Sequence, residues 1–108
     1  MTEKQFNEIT TWQKQTFPSA TSLSKLTHLA GEEATGEVGE LKHEIIAGVS
    51  YDKMKMEVAD CFFLLFGAAA SEGMTYSEIV EAIQEKFEIN KKRNWGNPDK
   101  NGVVNHIK

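Results

Sequence analysis

Apolar positions recur every three or four residues along most of the chain, the spacing of helices that bury one face. Phe6 and Ile9, with the stretch from Gln13 to Phe17, predict a first helix to about Gln15. Thr2 followed by Gln5 is a capping-box pattern that would open it. Pro18 stops it, and residues 18–22 read as a connection. Leu23, Leu26, Leu29, Ala30, Ala34, Val38, Leu41 and Ile45 then predict one long second helix, from about Ser22 to Ala47. Gly31, Gly36 and Gly39 weaken it by up to ~1 kcal/mol each relative to alanine, so it either bends or is closely approached. Gly48 to Ser50 ends it. A third helix is expected from about Tyr51 to Ser71, with Gly73 as its stop. Thr75 with Glu78 suggests another capping box, opening a fourth helix from Tyr76 to about Asn94. The sequence Trp95-Gly96-Asn97-Pro98 ends helical structure, and the tail over 96–108 reads as largely irregular. No segment alternates as a strand would. The expectation is a single all-α domain over 1–108, a four-helix bundle.

The third helix differs from the others. Met54, Met56, Val58, Ala59, Cys61 to Phe66, Ala68 and Ala69 cover nearly its whole circumference. A helix that is apolar all round must be buried all round. Three companions from one small chain can hardly enclose it, so a homo-oligomer, a dimer or a tetramer, is expected to complete the core.

Composition narrows the class. With 40% hydrophobic and 26% charged residues the chain is ordinary globular material. The apolar run from Cys61 to Ala70 is too short to span a membrane, which takes about 20 residues. The polar N-terminus lacks a signal-peptide core. A single cysteine, Cys61, excludes an internal disulfide and a cysteine-based zinc cluster, and fits a reducing compartment. The expected location is the cytoplasm, of a bacterium or of a phage-infected host. A net charge of −4 argues against nucleic-acid polymers as partners. Its distribution is uneven: residues 32–60 carry a net −5 and residues 61–85 a net −4, against +4 for residues 86–108.

That acidity has a pattern. Glu57 and Asp60 stand at i and i+3 on the most apolar helix, and Glu37 and Glu40 repeat the spacing on the helix before it. Glu33 and Glu44 extend the second pair by one turn each way. A solitary Glu-x-x-Glu is usually a solvated face, but an acid pair on an otherwise apolar helix is expensive without a positive partner. If the two helices pack antiparallel, as their short connection suggests, the pairs face each other and repel unless a divalent cation lies among them. Hard carboxylate oxygens suit Mg²⁺ or Mn²⁺. Di-iron bundles also use facing carboxylates, but only Glu40 and His43 offer the Glu-x-x-His spacing those sites need twice.

Glu37-Val-Gly-Glu40, sixteen intervening residues and Glu57-Val-Ala-Asp60 resemble the metal motif of the MazG-like, all-α nucleoside triphosphate pyrophosphohydrolases. The run from Lys86 through Asn90 and Arg93 to Gly96 is similar to that superfamily as well. Trp12-Gln13, Thr16-Phe17-Pro18, Lys25 to Leu29, Trp95 to Asp99 and Gly102 to His106 resemble its phage and bacterial branch of dATP/dGTP diphosphohydrolases, the MazZ-like group. A register placing Glu33 among the ligands exists, but Glu37 with Glu40 keeps the spacing of three.

The resemblance implies hydrolysis of purine deoxynucleoside triphosphates, dATP or dGTP, between the α and β phosphates, giving dNMP and pyrophosphate. Glu37, Glu40, Glu57 and Asp60 would be the catalytic carboxylates and hold two or more Mg²⁺ or Mn²⁺ ions, with Glu37 or Glu40 the candidate acceptor of the attacking water's proton. Lys86, Asn90 and Arg93, one helical stripe at i, i+4 and i+7, would bind phosphate and sugar. Trp12, Gln13, Phe17 and His28 are the candidates for the base slot. Cys61 reads as a small buried hydrophobe, and Trp95 as a helix-end anchor. Alternatives are a pyrimidine-preferring or broad house-cleaning pyrophosphatase, or a non-catalytic nucleotide-binding helical module.

Overall fold

The computed structural model describes residues 1–31 and 35–107. Among these the chain forms helices α1 (Glu3–Thr16), α2 (Ser22–Ala30), α3 (Glu37–Ala47), α4 (Tyr51–Ser71) and α5 (Tyr76–Lys92). Two short strands follow, β1 (Asn94–Trp95) and β2 (His106–Ile107). The all-α expectation holds. By contacts the chain divides into two compact units, Met1–Tyr76 and Ser77–Lys108.

In the first unit α4 is the spine, with α1, α2 and α3 each packed on it and α2 also on α3. The first helix opens as its sequence predicts. Thr2 Oγ1 accepts from the Gln5 amide at 3.1 Å, and Gln5 Oε1 accepts from the Thr2 amide at 2.9 Å. Thr21 and Ser24 make the same reciprocal cap on α2. Ser50 caps α4 through the Lys53 amide. Phe6 and Ala68 are the buried apolar residues among those described. Phe6 meets the ring of Phe66 edge-on, with centroids 5.9 Å apart, and lies 5.7 Å from that of Tyr76. The Tyr76 hydroxyl donates to the Met1 carbonyl.

The predicted second helix is two helices. It stops at Gly31, whose φ of +64° is open to glycine and costly for other residues. It restarts after Gly36, the N-cap of α3. A side chain at Gly31 would run into the Gly36 backbone, and one at Gly36 into Ala30 and Gly31. The two glycines therefore let the backbone on either side of residues 32–34 come into close approach. Of the residues assigned to that helix, Glu32, Glu33 and Ala34 lie outside the described ones, as does the candidate ligand register built on Glu33.

The second unit holds most of α5 and the tail. Helix α5 ends at Lys92, two residues short of the expected Asn94. The tail is not wholly irregular: Asn94 pairs with Ile107 and Trp95 with His106 in an antiparallel ladder. Asp99 organises the intervening loop, its carboxylate accepting from the amides of Asn101 and Val103. Trp95 Nε1 donates to the Asn90 carbonyl at 2.9 Å, anchoring the end of α5 as expected. No single helix among the described residues is long and apolar enough to cross a membrane.

Candidate active site

Three of the four predicted ligands, Glu37, Glu40 and Glu57, meet where α3 begins against α4, and Asp60 lies outside that group. Glu37 and Glu40 fall in the first turn of α3, where unpaired amides and the helix dipole favour negative charge. Glu57 projects from α4. One carboxylate oxygen from each of Glu37, Glu40 and Glu57 lies within 4.8 Å of the others. Opposed ligands of a Mg²⁺ ion stand roughly 4 Å apart, so small side-chain shifts bring this set to one ion.

Asp60 is one helical turn beyond Glu57 on α4. Together with Glu37 it lines the neighbouring cavity. Glu44 joins the cluster electrically. Its Oε2, like Glu57 Oε2, is sealed from solvent with no hydrogen-bond partner among the described residues. Burial pushes the Glu57 carboxyl above its usual value of 4.5, and the charges of Glu44, Asp60, Glu37 and Glu40 push it the same way. Sealed acceptors without donors, beside converging carboxylates, are the donor set that a hard divalent cation fits.

Glu44 had shown itself in the sequence only as an extension of the acidic face, four residues after Glu40. The structure gives it the largest single charge effect on Glu57. Cys61 sits against the same acids. Burial and the charges of Glu37, Glu57 and Asp60 raise its thiol above the usual 9.0, so it stays protonated and a poor nucleophile.

Beside the carboxylates opens a cavity of about 1070 Å³. Four candidate base-binding residues, Trp12, Gln13, Phe17 and His28, all line it. Trp12 and Phe17 are half exposed and meet edge-to-face with centroids 5.6 Å apart, an aromatic wall across the end of α1. His28 does more than line the cavity: its Nε2 stands 3.3 Å from Glu37 Oε1, linking α2 to a member of the carboxylate cluster. Gln13 is buried, and its Nε2 donates to the Phe63 carbonyl at 2.9 Å. Phe63 and Leu64 of α4 and Ile9 of α1 add apolar lining that their helical periodicity had assigned to core.

Lys86, Asn90 and Arg93 lie in the second unit. Lys86 is exposed, whereas Asn90 and Arg93 are half-buried. Asn90 Oδ1 is sealed without a partner among the described residues. Arg93 Nη1 lies 3.4 Å from His106 Nδ1, which ties the stripe to β2.

A model of the dATP/dGTP pyrophosphohydrolase family matches residues 5–108. The chain belongs to that family. It is thus a nucleoside triphosphate pyrophosphohydrolase of MazG-like fold. Among solved structures it is similar to the MazG-like pyrophosphohydrolase of cyanophage S-2L, with a TM-score of 0.69 and 28% identity. That match covers 100% of this chain and 99% of the cyanophage protein, which was seen bound to dGDP and three catalytic Mn²⁺ ions per active site. No curated protein matches. As a dATP/dGTP pyrophosphohydrolase family member, the chain presents its acidic cluster and its apolar cavity side by side, sharing Glu37 as a wall.

Proposed function

We propose that this pyrophosphohydrolase cleaves dATP and dGTP between the α and β phosphates, releasing dNMP and pyrophosphate. The observation that carries the reading is the convergence of Glu37, Glu40 and Glu57 beside a large cavity lined by Trp12, Phe17, Phe63 and Leu64. Acids hold metal and apolar rings hold a base, and a nucleoside triphosphate needs both at once. The dGDP and Mn²⁺ ions of the cyanophage protein support the same division.

Glu37, Glu40, Glu57 and Asp60 would hold two or more Mg²⁺ or Mn²⁺ ions. When bound, the metals supply charge neutralisation for the triphosphate, polarisation of the α-phosphorus and activation of water at neutral pH. Glu37 or Glu40 accepts the proton of the attacking water. His28 steadies Glu37 from α2. Trp12 and Phe17 enclose the base, with Gln13 at the α4 side of the cavity. Lys86, Asn90 and Arg93 bind phosphate oxygens and the sugar. The family match spans both compact units, which supports reading 1–108 as one functional domain. The exposed apolar side chains of Met56, Phe62 and Leu65 on α4 support a homodimer or homotetramer.

Pyrophosphate release should be measured across the dNTP set with Mg²⁺, with Mn²⁺ and with chelator. The expected result is metal-dependent turnover of dATP and dGTP. Turnover of dCTP or dUTP in preference to the purines would replace this reading by the pyrimidine or broad house-cleaning one. No pyrophosphate from any dNTP would leave a nucleotide-binding module.

A further inference from the structure

Gly67 lies inside α4, where glycine weakens a helix relative to alanine, and it is buried. A Cβ there would stand 2.7 Å from Gln13 Oε1, 3.0 Å from Nε2 and 3.1 Å from Cδ. The amide it would strike is held in place on the helix and can yield only toward the cavity that Gln13 lines. Gln13 is only 7% exposed, its Nε2 is committed to the Phe63 carbonyl one turn earlier on α4, and its Oε1 is sealed without a partner among the described residues. Gln13 lines the 1070 Å³ cavity, and Gly67 does not. The amide is therefore a layer between the α4 backbone and the cavity, resting on a position that has no side chain.

We propose that Gly67 is a specificity-determining position that acts through Gln13. Bare backbone at residue 67 lets the Gln13 amide settle onto α4, and the depth to which it settles sets the shape of the cavity wall that a base packs against. A methyl group at 67 forces the amide off the helix toward the cavity, which penalises a purine more than a pyrimidine. Gly67 itself touches no substrate; it is a positioning residue. The inference rests on the reading that this cavity takes the base.

The test is a double-mutant cycle of wild type, Gln13→Ala, Gly67→Ala and the double variant. For each, KM and kcat for dGTP and the inhibition constant of dCTP as a competitor are measured with Mn²⁺ present. Gly67→Ala is expected to raise KM for dGTP about tenfold or more, the scale of one methylene in a fitted pocket, and to weaken dCTP less. The loss falls on KM more than on kcat. Truncating Gln13 removes the group that the methyl strikes, so the double variant returns to the KM of Gln13→Ala alone. In that background Gly67→Ala also leaves the melting temperature equal or higher, because alanine is the better helix former.

A KM penalty of Gly67→Ala that persists undiminished in the double variant overturns the proposal while leaving the base site standing. If no variant changes KM or the discrimination between dGTP and dCTP, the cavity is not the base site, and the functional reading falls first. Should Gly67→Ala fail to fold, the double variant decides: a folded protein with the Gln13→Ala KM supports the proposal, and a second unfolded protein refutes it.

Discussion

Glu57 stands where burial and four neighbouring acids act on one carboxyl, and each of them raises its pKa above 4.5. Glu57→Gln and Asp60→Asn keep the shape of the side chain and remove the charge a metal needs. Each is expected to lower turnover at least about a hundredfold, the usual scale for losing a group that stabilises charge in the transition state, with the helical circular dichroism unchanged. A wild-type rate in either variant would refute the metal assignment. The raised pKa also fixes a sign. A carboxyl that holds its proton more tightly when folded contributes stability below its unfolded value, near 4.5, and that contribution is lost as pH rises through the raised folded value. The metal-free protein should therefore lose melting temperature as pH climbs above 4.5, and Glu57→Gln should flatten the slope. Mn²⁺ competes with the proton for the same oxygens, so its stabilising effect should grow with pH. Thermal scans over a pH series, with Mn²⁺ and with chelator, check all three; an undiminished slope in Glu57→Gln would place the effect on another group. The acid pairs were legible in the sequence because two carboxylates three apart on an apolar helix are costly unless a cation meets them. The contact between His28 and Glu37 was not, because it joins two helices whose relation depends on a turn that periodicity does not encode.

That turn is the main departure at the level of elements. The apolar positions from Leu23 to Ile45 keep helical spacing across the break, so periodicity alone reads α2 and α3 as one helix. The glycines carried the contrary signal, and Gly31 at φ +64° with Gly36 against its backbone shows why it prevailed. The break has a consequence for the site. It makes Glu37 the first residue of a new helix and places both Glu37 and Glu40 in that helix's first turn. Gly31→Ala places a Cβ at positive φ and against the Gly36 backbone, and is expected to cost about 1–3 kcal/mol. Chemical denaturation should show that loss, and metal affinity measured by titration calorimetry should fall with it as Glu37 is displaced. An unchanged midpoint would mean the chain turns here without needing glycine. The β1–β2 ladder went unread for a simpler reason: two-residue strands are too short to alternate, and their pairing depends on a loop fixed by Asp99.

At the scale of the whole molecule the question is what covers α4. Its apolar circumference predicts burial on every side, yet Met56 is 68% exposed, Phe62 50% and Leu65 48%. Phe6 and Ala68 alone, among the described residues, are buried apolar side chains. So small a core is thin support for a chain of this length, since burying one large apolar side chain contributes about 1.5–3 kcal/mol. A second copy of the chain, laying its own α4 against this one, would bury these side chains without any further sequence. Such an assembly also accounts for how a short chain can keep several like charges close together: the helices that carry them are held by more than their own chain's contacts. Sedimentation at micromolar concentration should therefore give a dimer or tetramer. Leu65→Glu should drive the equilibrium toward monomer and lower the melting temperature, because it would place a charge in an apolar interface. Lys4→Gln, which gives up only a 4.0 Å, well-exposed pair with Glu8 on α1, serves as the control and should leave both unchanged. A wild-type chain that sediments as a monomer at these concentrations would mean that α4 is covered by some other surface, and the homo-oligomer would have to be given up.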